Sequence, residues 1–183
     1  ITPWNFPIAI PAWKLAPALC HGNTVVLKPA ELTPGCAWEL ADILTRAGLP
    51  DGVLNLVMGR GSVVGQAILD TAVEACVNGA FFSTGQRCTA SSRLIVTQGI
   101  HDRFVDAVVA RLKTLSVDDA LKDGTHIGPV VDQSQLEQDE RYLAIGRDED
   151  GATLAFGGER LNRETPGFYL QPALFTEATN AMR

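Results

Sequence analysis

The sequence is short of the features that define several broad classes of protein. Lysine and arginine are nowhere clustered, and 15 of them against 21 aspartates and glutamates leave a formal net charge of -6. Neutralising a phosphate backbone takes concentrated positive charge, so this balance argues against a nucleic-acid partner. No apolar run approaches the roughly 20 residues of a membrane-spanning helix, and no secretory signal pattern is present. A soluble, cytoplasmic protein with no membrane partner is the expectation. Ile1 opens in the middle of a motif, so targeting information could precede it. Cysteine is sparse: Cys20, Cys36, Cys76 and Cys88 form no C-x-x-C pair and have no histidines at ligand spacing. No metal site is expected, and reduced thiols are the simplest reading. Repeats and low-complexity linkers are also missing.

What is present suits an α/β protein. At 183 residues and 46% hydrophobic content the chain can bury the core of one domain or a domain and a half. Thr24-Val25-Val26-Leu27 is a β-branched apolar run bounded by Gly22-Asn23 and Pro29, and it predicts a buried strand. Thr33-Pro34 supplies an N-cap hydroxyl and a proline at the first helical position. Ala37, Leu40, Ala41 and Leu44 then recur at helical spacing until Gly48. Val53 to Val57 predicts the next strand. Strand, helix and strand with short connections make a parallel crossover unit, and ligands of such sheets lie beyond the carboxyl ends of the strands, where Lys28 and Gly59 fall.

Gly59-Arg60-Gly61-Ser62-Val63-Val64-Gly65 misses the dinucleotide fingerprint, because its third glycine comes one residue late. A tight turn with Ser62 capping a helix is the plain reading. After Arg93 the residues speak of packing. Leu94-Ile95-Val96 predicts a strand, while Phe104, Val105, Val108, Leu112 and Leu115 form the stripe of a helix. His101 and His126 read as surface or capping groups, and Glu137 to Glu140 as a solvated face.

One run carries chemistry. Phe81-Phe82-Ser83-Thr84-Gly85-Gln86-Arg87-Cys88-Thr89-Ala90-Ser91-Ser92-Arg93 sets a cysteine among glycine and small hydroxyl residues after an apolar segment. Such a cysteine can be a nucleophile where backbone N–H groups, a cation or a base favour the thiolate, and Arg87 is placed to supply that field. For a single cysteine taken alone, a buried structural role is the commoner one.

Three stretches in order, Thr2-Pro3-Trp4-Asn5-Phe6-Pro7, Lys28-Pro29-Ala30-Glu31-Leu32-Thr33-Pro34 and the setting of Cys88, resemble the aldehyde dehydrogenase superfamily. The wording of residues 55–61 and 89–96 looks most like its α-ketoglutaric semialdehyde dehydrogenase branch. The resemblance implies a parallel-sheet nucleotide-binding domain over residues 1–82, part of an α/β catalytic domain over 83–183, and a homo-oligomer, dimer or tetramer, for the intact protein. It implies oxidation of a small aldehyde or semialdehyde to the acid with NAD, NADP being the alternative. Cys88 would form the thiohemiacetal and thioester. The Asn5 amide and the Cys88 backbone N–H would donate to the attacked carbonyl, a contribution on the order of 3 kcal/mol. Lys28 and Glu31 would hold the adenine ribose, with Gly61, Gly65 and Trp4 also on the cofactor side. A carboxylate at Glu31 repels a 2'-phosphate, which favours NAD.

Departures from the family pattern matter as much. After about residue 70 an internal segment is missing that in the family holds a phosphate-binding Phe-Thr-Gly-Ser turn and the general-base glutamate of Glu-Leu-Gly-Gly. The family's later Glu-Ile-Phe-Gly-Pro motif and oligomerisation strand are not found either. Either the chain is shortened and inactive, a remnant that binds nucleotide or a partner subunit, or the sequence joins pieces of a longer protein. The second is favoured, since losing a strand-helix-strand unit would open the sheet. A cysteine-dependent esterase is a further alternative. The helical pattern is silent on the join, because Val64, Ile68, Ala72, Cys76 and Ala80 continue at four-residue spacing across it.

Overall fold

The computed structural model describes residues 1–183 as two compact units, Ile1–Leu69 and Asp70–Arg183. In the first unit, α1 (Ala9–Cys20) leads into β1 (Val25–Leu27), α2 (Pro34–Arg46) and β2 (Leu54–Leu56). The two strands pair in parallel, Val25 against Leu54 and Leu27 against Leu56, as a strand-helix-strand unit requires. Both helices end in the same way. Gly22 and Gly48 take φ of +75° and +95°. The next amide in each case reaches back across the last turn, Asn23 to the Ala18 carbonyl and Leu49 to the Leu44 carbonyl, each at 3.0 Å. This left-handed closure satisfies otherwise orphaned helix carbonyls and turns the chain toward a strand.

The core of this unit is small. Leu15, Leu27 and Ala37 are buried together, with Leu19, Val25, Leu40, Leu44, Leu54 and Leu56 packed around them. Burying a leucine contributes about 1.5–3 kcal/mol, so two buried leucines and an alanine make a modest core. Both helices cover one face of the sheet only. Val26 and Asn55 point to the other, and Val26 remains 57% exposed. Two details correct the sequence reading. Thr33 stands at the N-cap of α2 but its hydroxyl makes no capping bond. The next helix starts at Gly61, so Ser62 lies inside its first turn and is not the cap.

That helix, α3 (Gly61–Phe81), is continuous for 21 residues and runs through the boundary at 69/70. In the second unit it is followed by a 3-10 turn (Phe82–Gly85), α4 (His101–Leu112), α5 (Gln133–Ala144) and a π turn (Ile145–Glu149). The unit closes with β3 (Thr153–Phe156), β4 (Arg160–Leu161), β5 (Tyr169–Leu170) and β6 (Leu174–Thr176). β3 pairs with β6 and β4 with β5, both antiparallel. The predicted stripe of α4 buries Phe104, Val108 and Leu112. Leu115 lies beyond the helix and packs on a cluster of Val117, Ile127 and Tyr169, with Phe81, Phe82 and Leu161 around it. Arg111 Nε donates to Glu74 Oε1 at 2.6 Å, tying α4 to α3.

Leu94-Ile95-Val96 is not a strand. It is irregular chain, with Ile95 99% exposed. A β-branched run becomes a strand only where a neighbour offers its backbone groups, and no strand edge does so here. No helix is long and apolar enough to cross a membrane.

Candidate functional site

Cys88 is exposed, and all four cysteines are unpaired. Cys76, inside α3, is half-buried and burial pushes its thiol pKa up, the opposite of what a nucleophile needs. The chain arrives at Cys88 through three successive left-handed residues, Ser83 (φ 57°), Thr84 (φ 56°) and Gly85 (φ 70°). Only the glycine adopts this conformation freely; each of the others costs roughly 1–2 kcal/mol. At Gly85 there is also no room, since a Cβ would meet the Ala80 carbonyl oxygen at 2.9 Å. Strain of this kind persists only where surrounding bonds over-determine it.

Those bonds are present. The Gln86 side-chain oxygen accepts from Thr84 Oγ1 at 2.7 Å and from the Val131 amide at 3.2 Å. Gln86 N–H donates to the Ser83 carbonyl at 3.0 Å. Next, Ala90 N–H closes on the Arg87 carbonyl at 3.0 Å, which makes Cys88 the second residue of a β-turn. Ser91 N–H donates to the Gly79 carbonyl at 3.0 Å, and Arg87 Nη2 donates to the carbonyls of Asn78 and, at 3.3 Å, Gly79. The Cys88 N–H is not used in any of these bonds.

Arg87 therefore departs from the sequence expectation. Its guanidinium is turned to the end of α3, where the last carbonyls lack intrahelical donors and carry the negative end of the helix dipole, and not to the thiol beside it. Gln86 was not singled out from sequence, although a carboxamide between a glycine and the cysteine is the one side chain there able to bridge two loops.

The second group of predicted residues lies in the first unit. Lys28 is 4% exposed although charged, and no ion pair of the chain involves it. The Thr2 amide donates to the Lys28 carbonyl at 3.0 Å, which anchors the Thr2–Asn5 segment to the end of β1, and Thr2 Oγ1 is buried without a partner. A Cβ on Gly61 would stand 3.9 Å from Lys28 Nζ, so the start of α3 and the ammonium share one corner. Gly65 has nothing within 4 Å of its Cβ position, and no close approach marks it. Glu31 is exposed at the second position of the turn that Thr33 N–H closes on the Ala30 carbonyl. Trp4 (60% exposed) and Asn5 are also at the surface. The structure thus brings Thr2, Lys28 and Gly61 together and leaves Trp4, Asn5, Glu31 and Gly65 outside that corner.

Two stretches, residues 1–72 and 67–183, match the aldehyde dehydrogenase family. The chain belongs to that family. It is 38% identical to the α-ketoglutaric semialdehyde dehydrogenase of Bacillus subtilis, over all of this chain and 48% of the relative. Its identity to the 2,5-dioxopentanoate dehydrogenase of Saccharolobus solfataricus is 36%, again over all of this chain and 48% of the relative. Among solved structures, an indole-3-acetaldehyde dehydrogenase complexed with NAD+ superposes with a TM-score of 0.60 at 33% identity, covering 99% of this chain and 47% of that one. The chain spans about half the length of these aldehyde dehydrogenases.

The match also locates an internal difference. The alignment with the Bacillus protein covers 233 positions, 50 more than the 183 residues of this chain, so at least that many positions of the alignment have no counterpart here. Both family stretches include residues 67–72, which lie in the middle of α3. In this chain one unbroken helix occupies the place where the first stretch ends and the second begins.

Proposed function

We propose that the protein carrying this sequence oxidises a small aldehyde or semialdehyde, α-ketoglutaric semialdehyde being the one its wording favours, to the carboxylic acid with NAD. We assign it to the cytoplasm and to a homo-oligomer, with residues 1–82 on the nucleotide side and 83–183 on the catalytic side. The observation that carries this reading is the Cys88 turn, an exposed thiol on a backbone tied down on both sides with its own N–H left free. The Cys88 thiolate adds to the aldehyde carbon, and the carbonyl electron pair moves to oxygen. The Cys88 N–H donates to that oxygen, and by family resemblance so does the Asn5 amide. Bound NAD supplies the hydride acceptor. Water hydrolyses the resulting thioester, and no carboxylate of this chain is assigned as its general base.

The corner at Lys28 fits the polyhydroxyl end of a dinucleotide. The orphaned buried hydroxyl of Thr2 is costly unless a ligand satisfies it, and the Lys28 ammonium stands without a carboxylate partner near the start of α3 at Gly61. Glu31 would accept from the ribose hydroxyls. Glu31→Ser should shift the ratio of NAD to NADP dissociation constants toward NADP by about tenfold, because a charge repulsion and charge-assisted hydrogen bonds disappear together. An unchanged ratio would place Glu31 away from the ribose.

The 50 alignment positions without a counterpart support a second reading for the 183-residue chain itself, in which acyl transfer to Cys88 survives without aldehyde turnover. Mixing the purified chain with p-nitrophenyl acetate should release about one equivalent of nitrophenolate as the acetyl group moves to Sγ. Cys88→Ala should abolish this burst. A wild-type chain in which Cys88 is never acylated would overturn the nucleophile, and NADH formation from a short semialdehyde would show turnover in the chain as it stands.

A further inference from the structure

The geometry points to Arg87 as the positioning residue for Cys88, an inference that rests on reading Cys88 as the attacking thiol. A cation beside a thiol is usually credited with stabilising the thiolate, but here the guanidinium is engaged elsewhere. It donates to the carbonyls of Asn78 and Gly79, two of the last four of α3 and so without partners inside the helix. Ser91 N–H closes on the same Gly79 oxygen from the other side of the turn. The arc from Arg87 to Ser91 therefore has both ends fastened to one helix terminus, with Cys88, Thr89 and Ala90 between them. The fit is close: a Cβ on Gly79 would come within 3.1 Å of Ser91 Oγ.

This arrangement governs the direction of the Cys88 N–H, which, like the Thr89 N–H beside it, has no internal acceptor. An oxyanion donor must be aimed before the reaction, since its benefit falls steeply with misalignment. Without the Arg87 side chain, the local bonds of the turn remain, Arg87 N–H to the Gly85 carbonyl and Ala90 N–H to the Arg87 carbonyl, but the arc is tied to the rest of the unit only by the Ser91 bond and the Gln86 bridge to Val131. It is then free to pivot between them, and the left-handed strain of Ser83 and Thr84 favours such motion. Arg87 acts through the orientation of the peptide group, not through the charge state of the thiol.

The two modes of action separate in a comparison of the wild-type chain with Arg87→Met and Arg87→Lys. Acylation by p-nitrophenyl acetate develops an oxyanion, whereas alkylation by iodoacetamide needs only the thiolate. Arg87→Met should slow Cys88 acylation about tenfold and leave its alkylation rate within twofold, with the pH midpoint of alkylation unmoved. Arg87→Lys, which keeps a donor for the helix end, should recover part of the loss. Amide exchange at Ser91 should quicken at least tenfold in Arg87→Met, while amides of Val108 and Leu136 stay protected and report an intact fold. Equal losses in both thiol reactions with a raised pH midpoint would assign Arg87 a field effect and overturn the proposal. Faster Ser91 exchange with unchanged acylation would also overturn it. If wild-type Cys88 resists acylation while alkylating normally, the nucleophile reading fails on its own, and Ser91 exchange still decides whether Arg87 clamps the turn.

Discussion

The two units of this chain are held together in opposite ways. Residues 1–69 carry most of the recognisable motifs on a thin scaffold: two parallel strands, helices on one face, a core cluster of three buried residues. Parallel sheets are ordinarily covered on both faces, and here Val26 looks outward. All three tryptophans, Trp4, Trp13 and Trp38, lie in this unit and are at least half exposed. Residues 70–183 carry a single chemical motif but bury more: Val77 and Leu136 are fully enclosed, and Val108, Leu112, Ile127 and Tyr169 nearly so. The motif-rich half is the one with the smaller enclosed core, and the motif-poor half the one with the larger. Family motifs mark where a ligand is handled, which says nothing about how much core lies beneath.

The strongest test of this contrast is to weaken each core separately. Tryptophan emission reports the first unit alone, and Tyr142 and Tyr169 belong to the second. Leu136→Ala should cost about 3 kcal/mol in the transition followed through the second unit and leave tryptophan emission in place. Leu15→Ala should do the reverse, at about 2 kcal/mol, because a thin unit relaxes more readily around a deletion. A single coincident transition in urea, shifted alike by both substitutions, would break the comparison.

A smaller effect is expected at the open sheet face. Val26→Lys should change stability by about 0.5 kcal/mol or less, since the side chain is already in water, yet lower the tendency to self-associate in light scattering. A large loss of stability would mean that this face is packed against something.

The smallest expected effect is a local pH dependence in the second unit. Hydrogen bonds from the Gln135 amide, the largest cause, and from the Ser134 hydroxyl hold the Asp132 carboxyl below its ordinary range, at the N-cap of α5. A depressed folded value means stabilisation that is present above the unfolded value, roughly pH 4, and lost as pH falls through the folded one. The protection of the Gln135 amide, measured against its intrinsic exchange rate at each pH, should therefore fall on acidification in a way that Asp132→Ala abolishes, with the protection of β1 and β2 amides unchanged. An identical acid response in the alanine variant would remove Asp132 as the cause.

Much of the fold was legible because its causes are local. Gly22 and Gly48 end helices through a backbone conformation that glycine adopts without penalty, and Val25 to Leu27 is a β-branched run with turn residues at both ends. The stripe of Phe104, Val108 and Leu112 recurs at helical spacing and is buried as that spacing requires. At the candidate site, residue types and order pointed to Cys88, Asn5, Lys28 and Glu31. They did not reveal Gln86 as a bridge to Val131, 45 residues away, because a side chain's distant partner leaves no trace in its neighbours.

The sequence by itself determined where α2 begins and stops, which runs are apolar, the membership of the aldehyde dehydrogenase family, and the small-residue setting of one cysteine. Each of these depends on interactions within a few residues or on the order of short motifs. Tertiary structure alone decided that Leu94-Ile95-Val96 would stay irregular for want of a strand edge, that Lys28 would be buried beside Gly61, and that Arg87 would face the end of α3 and not the thiol next to it. The physical reason is common to all three. A hydrogen-bonding group goes to whichever partner the fold brings within about 3 Å, and that partner is set by the path of the whole chain.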